Sequence, residues 1–335
     1  MAVRRSIVFA TDALDATLDL AVRAEASGFD RIWTTEYVGR DACARALAVA
    51  MRTSSIEVGT GVAYAFTRLP LAMAALVSDI QKIAGGRLSL GISPGTRGVR
   101  RWYDAEFDPP APRLVQYVEQ LRTIWEADAS YAGAPLFAPA FNPIMTRHAA
   151  RVCDGLLLHP LAAGEVHLTE RVLPAMRTGA QHREHPPDLV AWRVTSIDAD
   201  EETARRNARG QLAFYFSTPS YAPVVADTPW EDVPATIRER FAASDGTPQW
   251  QEIGAGIPED MVDEFTLTAT PGQARERLQQ LERRLEEQGI TEIGFQTVGA
   301  GLHDDEVATN CRHIIDALGP GTTHQTDHTE DQPHG

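Results

Sequence analysis

Phe29-Asp30-Arg31-Ile32-Trp33-Thr34-Thr35-Glu36-Tyr37 reads as a β-strand that runs out into a polar loop. Two later stretches repeat that design: Ile56-Glu57-Val58-Gly59-Thr60-Gly61-Val62-Ala63-Tyr64-Ala65-Phe66, and Arg87-Leu88-Ser89-Leu90-Gly91-Ile92-Ser93-Pro94-Gly95. A helix-length segment follows each of the first two. The strands begin about 30 residues apart, the length of a β-α-β unit with parallel strands. Ligands of such sheets bind beyond the carboxyl ends of the strands. Chemistry is therefore expected at Glu36, Tyr37, residues 62–66 and the 93–98 loop.

The same alternation extends in both directions. Ser6–Ala10 is a short apolar run suited to a first buried strand. Asp12 is placed to cap a helix that Gly28 ends. Residues 135–141 form a weaker strand, because Pro135 and Pro139 interrupt its ladder. Asn142 is placed to cap a helix from Pro143, and Asp154-Gly155 turns the chain into the apolar run ending at His159. Helical patterns follow at 165–177 and 200–216, with a strand at 189–197 between them. Residues 218–265 carry six prolines without a clean period and read as an insertion or lid before the last helix-strand unit. Thr270-Pro271-Gly272-Gln273 opens a helix, and 290–298 is the last strand. The strands number eight, with helices between most of them, which fits an α/β fold of the (β/α)8 barrel type; a doubly wound open sheet fits the same periodicity. The barrel is expected to occupy 1–318 as one domain, with 319–335 a polar, disordered tail.

The chain has 335 residues and a net charge of −15, with Lys82 its only lysine. Nucleic acid is not an expected partner of so acidic a protein. Cys43, Cys153 and Cys311 are far apart and odd in number, which reads as buried, reduced thiols of a cytoplasmic protein. No signal peptide and no apolar run of membrane-spanning length is seen. His182 and His185 share a polar loop without a third ligand, so no metal is expected. Neither a nucleophile elbow nor a phosphate-binding P-loop signature is present.

Several stretches carry a family likeness. Gly28–Glu36, Gly59-Thr60-Gly61-Val62 with Thr67-Arg68-Leu69-Pro70, and Gly85–Ile92 resemble the bacterial luciferase-like flavin and deazaflavin oxidoreductases. Phe141–Arg147 and Cys153–Leu161 look like the branch that uses coenzyme F420. The resemblance implies a (β/α)8 barrel holding a tricyclic redox ring at its carboxyl end, a small-molecule substrate, and a homodimer formed through helices early in the chain. It implies hydride transfer with F420, or oxygen chemistry with reduced FMN supplied by a separate reductase. It places a bulge or a non-prolyl cis peptide after the third strand, with Thr60, Val62, Ala63 and Tyr64 near the ring. The cofactor tail would be held by Ser93, Pro94, Gly95, Thr96 and Gly98, and by Ala140, Phe141 and Asn142.

Glu36, Tyr37 and His159 are the candidate catalytic residues. The family often has an acid followed by His where this chain has Glu36-Tyr37. A Tyr with a pKa of about 10 is a poorer proton shuttle at neutral pH than His. The segment before the fifth strand is also short, which implies a more open site. Plainer readings stand beside these: Glu36 as a barrel-mouth carboxylate paired with an arginine, His159 as a structural core residue, and Phe214-Tyr215-Phe216 as helix packing. Trp102-Tyr103 are candidates for a substrate pocket. Three functions follow from the sequence: an F420-dependent oxidoreductase, a two-component FMN monooxygenase, or a barrel of this fold that has become a cofactor-free binding subunit.

Overall fold

The computed structural model describes residues 3–102 and 109–321. The side chains of Trp102 and Tyr103, and residues 322–335 of the expected tail, lie outside the described residues. Among the described residues ten strands are present: β1 (Arg4–Val8), β2 (Arg31–Thr34), β3 (Glu57–Thr60), β4 (Ala63–Tyr64), β5 (Leu88–Ser93), β6 (Leu136–Ala140), β7 (Gly155–Leu158), β8 (Asp188–Ile197), β9 (Thr266–Ala269) and β10 (Glu292–Thr297). Eight of them close a parallel ring in the order β10-β1-β2-β3-β5-β6-β7-β8, which β8 and β10 complete by pairing with each other. The fold is thus a (β/α)8 barrel, and the open-sheet alternative is excluded by that last pairing. β4 is a two-residue addition beside β5.

β9 is the strand that sequence periodicity does not reveal. It pairs only with the outer half of β8, Val194 against Thr266 through Ile197 against Ala269. At four residues it carries too little pattern to read. β6 is a full member of the ring despite its proline. Its ladder to β5 ends at the Gly91–Phe137 pair, so Pro139 lies beyond it. The peptide between Gly61 and Val62, directly after β3, is cis.

Glycines facing large aromatics fill the barrel. Trp33, Phe137, Leu157, Val8 and Val190 form its inner cluster, with Val62 and Trp192 packed against them. A Cβ on Gly61 would meet Cζ2 of Trp192 at 2.4 Å. A Cβ on Gly155 would lie 2.0 Å from Cε1 of Phe137. At the amino-terminal end of the barrel, Arg31 bonds Glu292 at 2.6 Å and stands over the Trp33 ring, whose indole N–H donates to the same carboxylate at 2.8 Å.

The helices follow their sequence signals with some exceptions. Asn142 caps Pro143–Val152 by accepting from the Met145 N–H at 2.9 Å. Asp12 does not cap a helix, because the Leu14–Ala26 helix begins past it and Asp12 instead pairs with Arg40. The helical run over 165–180 contains a π-turn at Leu168–Val172. Residues 218–265 hold the helices Val233–Ala242, Trp250–Gly254 and Glu259–Phe265 after a 3-10 turn. They pack a second apolar cluster, including Ile237 and Met261, onto the Glu201–Phe216 helix and the β8 end of the barrel. The first residues expected to be tail are docked, with the Gly321 N–H bonding the Ser27 carbonyl at 3.0 Å. All three cysteines are free and buried. Among the described residues no helix is long and apolar enough to cross a membrane.

Candidate active site

A cavity of about 460 Å³ opens at the carboxyl ends of the strands. The barrel supplies its floor and near wall from the chain just past each strand. Phe9 and Ala10 follow β1, Glu36 and Tyr37 follow β2, and Gly61 and Val62 follow β3. Ser93, Gly95 and Thr96 come from the end of β5, and His159 from the end of β7. The far wall comes from Phe214 and Tyr215 in the last turn of the Glu201–Phe216 helix, with Tyr221 and Trp250 from the following segment.

Glu36 is the buried carboxylate of this site, its side chain 3% exposed. Its Oε1 accepts from Arg68 at 3.0 Å, and Arg68 also binds Asp41. Tyr64 donates from its hydroxyl to the Glu36 carbonyl at 3.2 Å, fixing the backbone that carries the acid. Glu36 Oε2 is buried without a hydrogen-bond partner among the described residues. Burial pushes the Glu36 pKa above the ordinary carboxylate range, and the Arg68 cation only partly offsets it. Such a group can accept or release a proton nearer neutral pH than a surface acid. Burial works against the charge of Arg68 itself, but Glu36 and Asp41 outweigh it and keep the guanidinium protonated.

His159 is enclosed by rings. Tyr221 stacks on it at 4.6 Å and 22°, while Tyr215 meets it edge-on at 4.5 Å. Burial pushes its pKa down to about 3, so the ring is neutral. Its Nδ1 accepts from the Leu161 N–H at 3.3 Å, which leaves the hydrogen on Nε2. The Tyr215 hydroxyl is engaged by Gln296. Gln211 accepts the N–H groups of Gly299 and Ala300 at 3.0 and 3.1 Å, holding the loop after β10 against the roof. Trp192, in β8, lines the cavity, and its buried indole N–H, on the Gly294 side, has no hydrogen-bond partner among the described residues.

The structure brings together Glu36, Tyr37, His159, Val62, Tyr64, Ser93, Gly95 and Thr96 as cavity lining. Tyr37 stands at the mouth, 41% exposed. Seven expected residues do not line it, among them Pro94, which is buried. The Thr60 hydroxyl is buried and bonds the Gly91 carbonyl at 2.7 Å. Ala63 and Ala140 are fully buried in the strand layer. Gly98 is not in a loop but within the short Arg97–Trp102 helix. Phe141 packs behind the wall, 5.1 Å from Tyr221. Asn142 is exposed, and its side-chain oxygen is taken by the helix cap.

The plainer reading of Glu36 as an acid paired with an arginine holds alongside its place in the cavity. Phe214 and Tyr215 face the cavity and only Phe216 is helix packing, against Phe265 at 6.3 Å. Sequence reasoning missed Arg68, Trp192, Tyr221, Trp250 and Gln296. Arg68 had a signal, the Thr67-Arg68-Leu69-Pro70 stretch, but nothing local ties it to an acid at position 36.

A sequence model of the family described as luciferase-like monooxygenase matches residues 3–288. The chain is 26% identical over 288 residues to a 5,10-methylenetetrahydromethanopterin reductase from Archaeoglobus fulgidus, covering 81% of this chain and 86% of the reductase. Its fold is similar to that of the coenzyme F420-dependent tetrahydromethanopterin reductase from Methanopyrus kandleri, with a TM-score of 0.75 at 19% identity over 96% of this chain and 100% of that one. It is also similar to the oxygenating constituent of 3,6-diketocamphane monooxygenase from Pseudomonas putida, solved with FMN. There the TM-score is 0.66 at 14% identity, over 96% of this chain and 99% of that one.

Proposed function

This chain belongs to the luciferase-like monooxygenase family, a family of enzymes, and on that footing we propose that it is an F420-dependent oxidoreductase acting on a small organic substrate. One observation carries the reading. Glu36 and Trp192 line the cavity, and each carries a buried polar atom, Glu36 Oε2 and Trp192 Nε1, with no hydrogen-bond partner among the described residues. Orphaned buried polar atoms are costly, and a ligand that pairs with them recovers that cost. A flat heterocycle with polar edges fits a slot with these two groups, apolar walls and the backbone of Gly61-Val62 beside it. A site with such room also counts against the cofactor-free reading.

When bound, the deazaflavin would supply hydride transfer at its C5 carbon. The chain's own part is orientation, exclusion of water and proton handling. Glu36 Oε2 would hold or take the proton, with Arg68 fixing the carboxylate through Oε1. Tyr37 stands at the mouth beside it, where its hydroxyl can donate a hydrogen bond. His159 would contribute a neutral N–H rather than a charge. Ser93, Gly95 and Thr96 would meet the cofactor's polar tail. Reduction of an activated C=C or C=N bond and oxidation of an alcohol both suit this arrangement.

The second reading is an FMN-dependent monooxygenase served by a separate reductase, favoured by the likeness to the Pseudomonas enzyme. A homodimer through the early helices belongs to either reading. Titration of the purified protein with F420 and with FMN, followed by cofactor fluorescence, separates them. The proposal expects F420 to bind in the micromolar range or tighter, and FMN to bind weakly. Tight FMN binding with weak F420 binding would transfer the protein to the second reading.

A further inference from the structure

We infer that the half of the cavity beneath residues 218–265 is a subsite for a flat, neutral molecule carrying one hydrogen-bond acceptor, such as an aryl ketone or an enone, and that it turns anions away. The inference rests on the hydride-transfer reading of the same cavity. This wall is formed by His159, Phe214, Tyr215, Tyr221 and Trp250. Tyr221 and His159 are stacked, and Trp250 meets Phe214 edge-on at 5.4 Å and 89°. Such rings offer broad apolar faces to a planar guest.

Charge is confined to the opposite side. Among the described residues lining the cavity, the charged ones are Asp12, Glu36 and Arg40. All three follow β1 or β2, and each is already paired: Asp12 with Arg40 at 2.9 Å, and Glu36 with Arg68 at 3.0 Å. The aromatic wall contains no cation, and His159 is neutral there. A phosphate or carboxylate placed against it would lose its water without gaining a counter-charge. A neutral oxygen would find donors. The Tyr215 hydroxyl oxygen accepts from Gln296, and His159 Nε2–H and the Tyr221 hydroxyl have no hydrogen-bond partner among the described residues.

The test is a titration with acetophenone and with 4-acetylbenzoate, which differ by one carboxylate, on protein with and without F420. Quenching of tryptophan fluorescence reports binding, because Trp192 and Trp250 line the cavity. Acetophenone should bind saturably, and 4-acetylbenzoate about tenfold more weakly or worse. Tyr221→Ala should weaken acetophenone about tenfold, whereas Tyr221→Phe keeps the stacked wall and most of the affinity. Phe214→Arg should narrow or invert the preference, a gain that a misfolded variant cannot produce. Equal or tighter binding of the carboxylate, no binding of acetophenone, or an unchanged preference in a folded Phe214→Arg variant would overturn the subsite. Deazaflavin fluorescence reports cofactor binding separately. If F420 fails to bind while the acetophenone preference holds, the hydride-transfer reading falls and the subsite stands.

Discussion

In the proposed reaction Glu36 handles the proton through a division of labour between its two oxygens. Arg68 holds Oε1 at 3.0 Å, and Oε2 is left buried with no hydrogen-bond partner among the described residues. Glu36→Gln keeps the shape and removes the proton-handling group. It should lower kcat by roughly a hundredfold or more in steady-state turnover, a larger loss than any change in F420 affinity read by cofactor titration. Arg68 acts on that acid from behind. Burial raises the Glu36 pKa and Arg68 opposes the rise, so Arg68→Met should raise it further. Where ionised Glu36 is the proton acceptor, the acid limb of the kcat/KM profile should then move to higher pH, by about one unit. An acid limb that stays in place would mean that Glu36 is not the titrating group. The pairing itself could not be read from sequence, because positions 36 and 68 meet only when β2 and β3 lie side by side. What sequence did convey was an acid at a strand end, where a parallel sheet presents its ligands.

Among the elements, the strands were legible and the roof was not. Each ring strand is a short buried run bounded by turn residues, so periodicity locates it to within a few residues. β9 escaped because its four residues follow directly on the Glu259–Phe265 helix with no turn between them. Gly98 was misplaced because Gly95-Thr96 reads as the middle of a loop, whereas a helix starts at Arg97. Tyr221 and Trp250 belong to a stretch whose path over the barrel is set by long-range packing, so their role in the cavity has no local signature. The glycines of the ring strands show the converse, a local residue with a long-range reason. Gly155 leaves room for the Phe137 ring, 2.0 Å from where a Cβ would stand. Gly155→Ala should therefore cost about 1–3 kcal/mol in urea denaturation, since a packed barrel has no space to yield. A neutral substitution would show that the Phe137 ring can move aside.

At the scale of the whole molecule, one charge cluster ties β2 to β10 over the intervening β1. Arg31 on β2 and Glu292 on β10 are both buried and bond at 2.6 Å, flanked by Glu57 and the Trp33 indole. Removing one partner strands the other. Glu292→Ala should destabilise the protein by about 3–5 kcal/mol, read from its urea midpoint. This cluster seals the amino-terminal end, and the cavity lies at the other. The count of eight strands was legible and fitted an open sheet as well as a barrel, and the β8–β10 pairing that proves closure joins residues about a hundred positions apart.

The central claim is that a flat redox cofactor seats in the cavity between Glu36 and Trp192, against the backbone of Gly61-Val62. Crystals of this protein soaked with F420 test it most directly. The account predicts ring density inside the cavity, with Glu36 Oε2 and the Trp192 indole N–H engaged by ligand. Density at another surface, or a cavity left empty by F420 at saturating concentration, would contradict it.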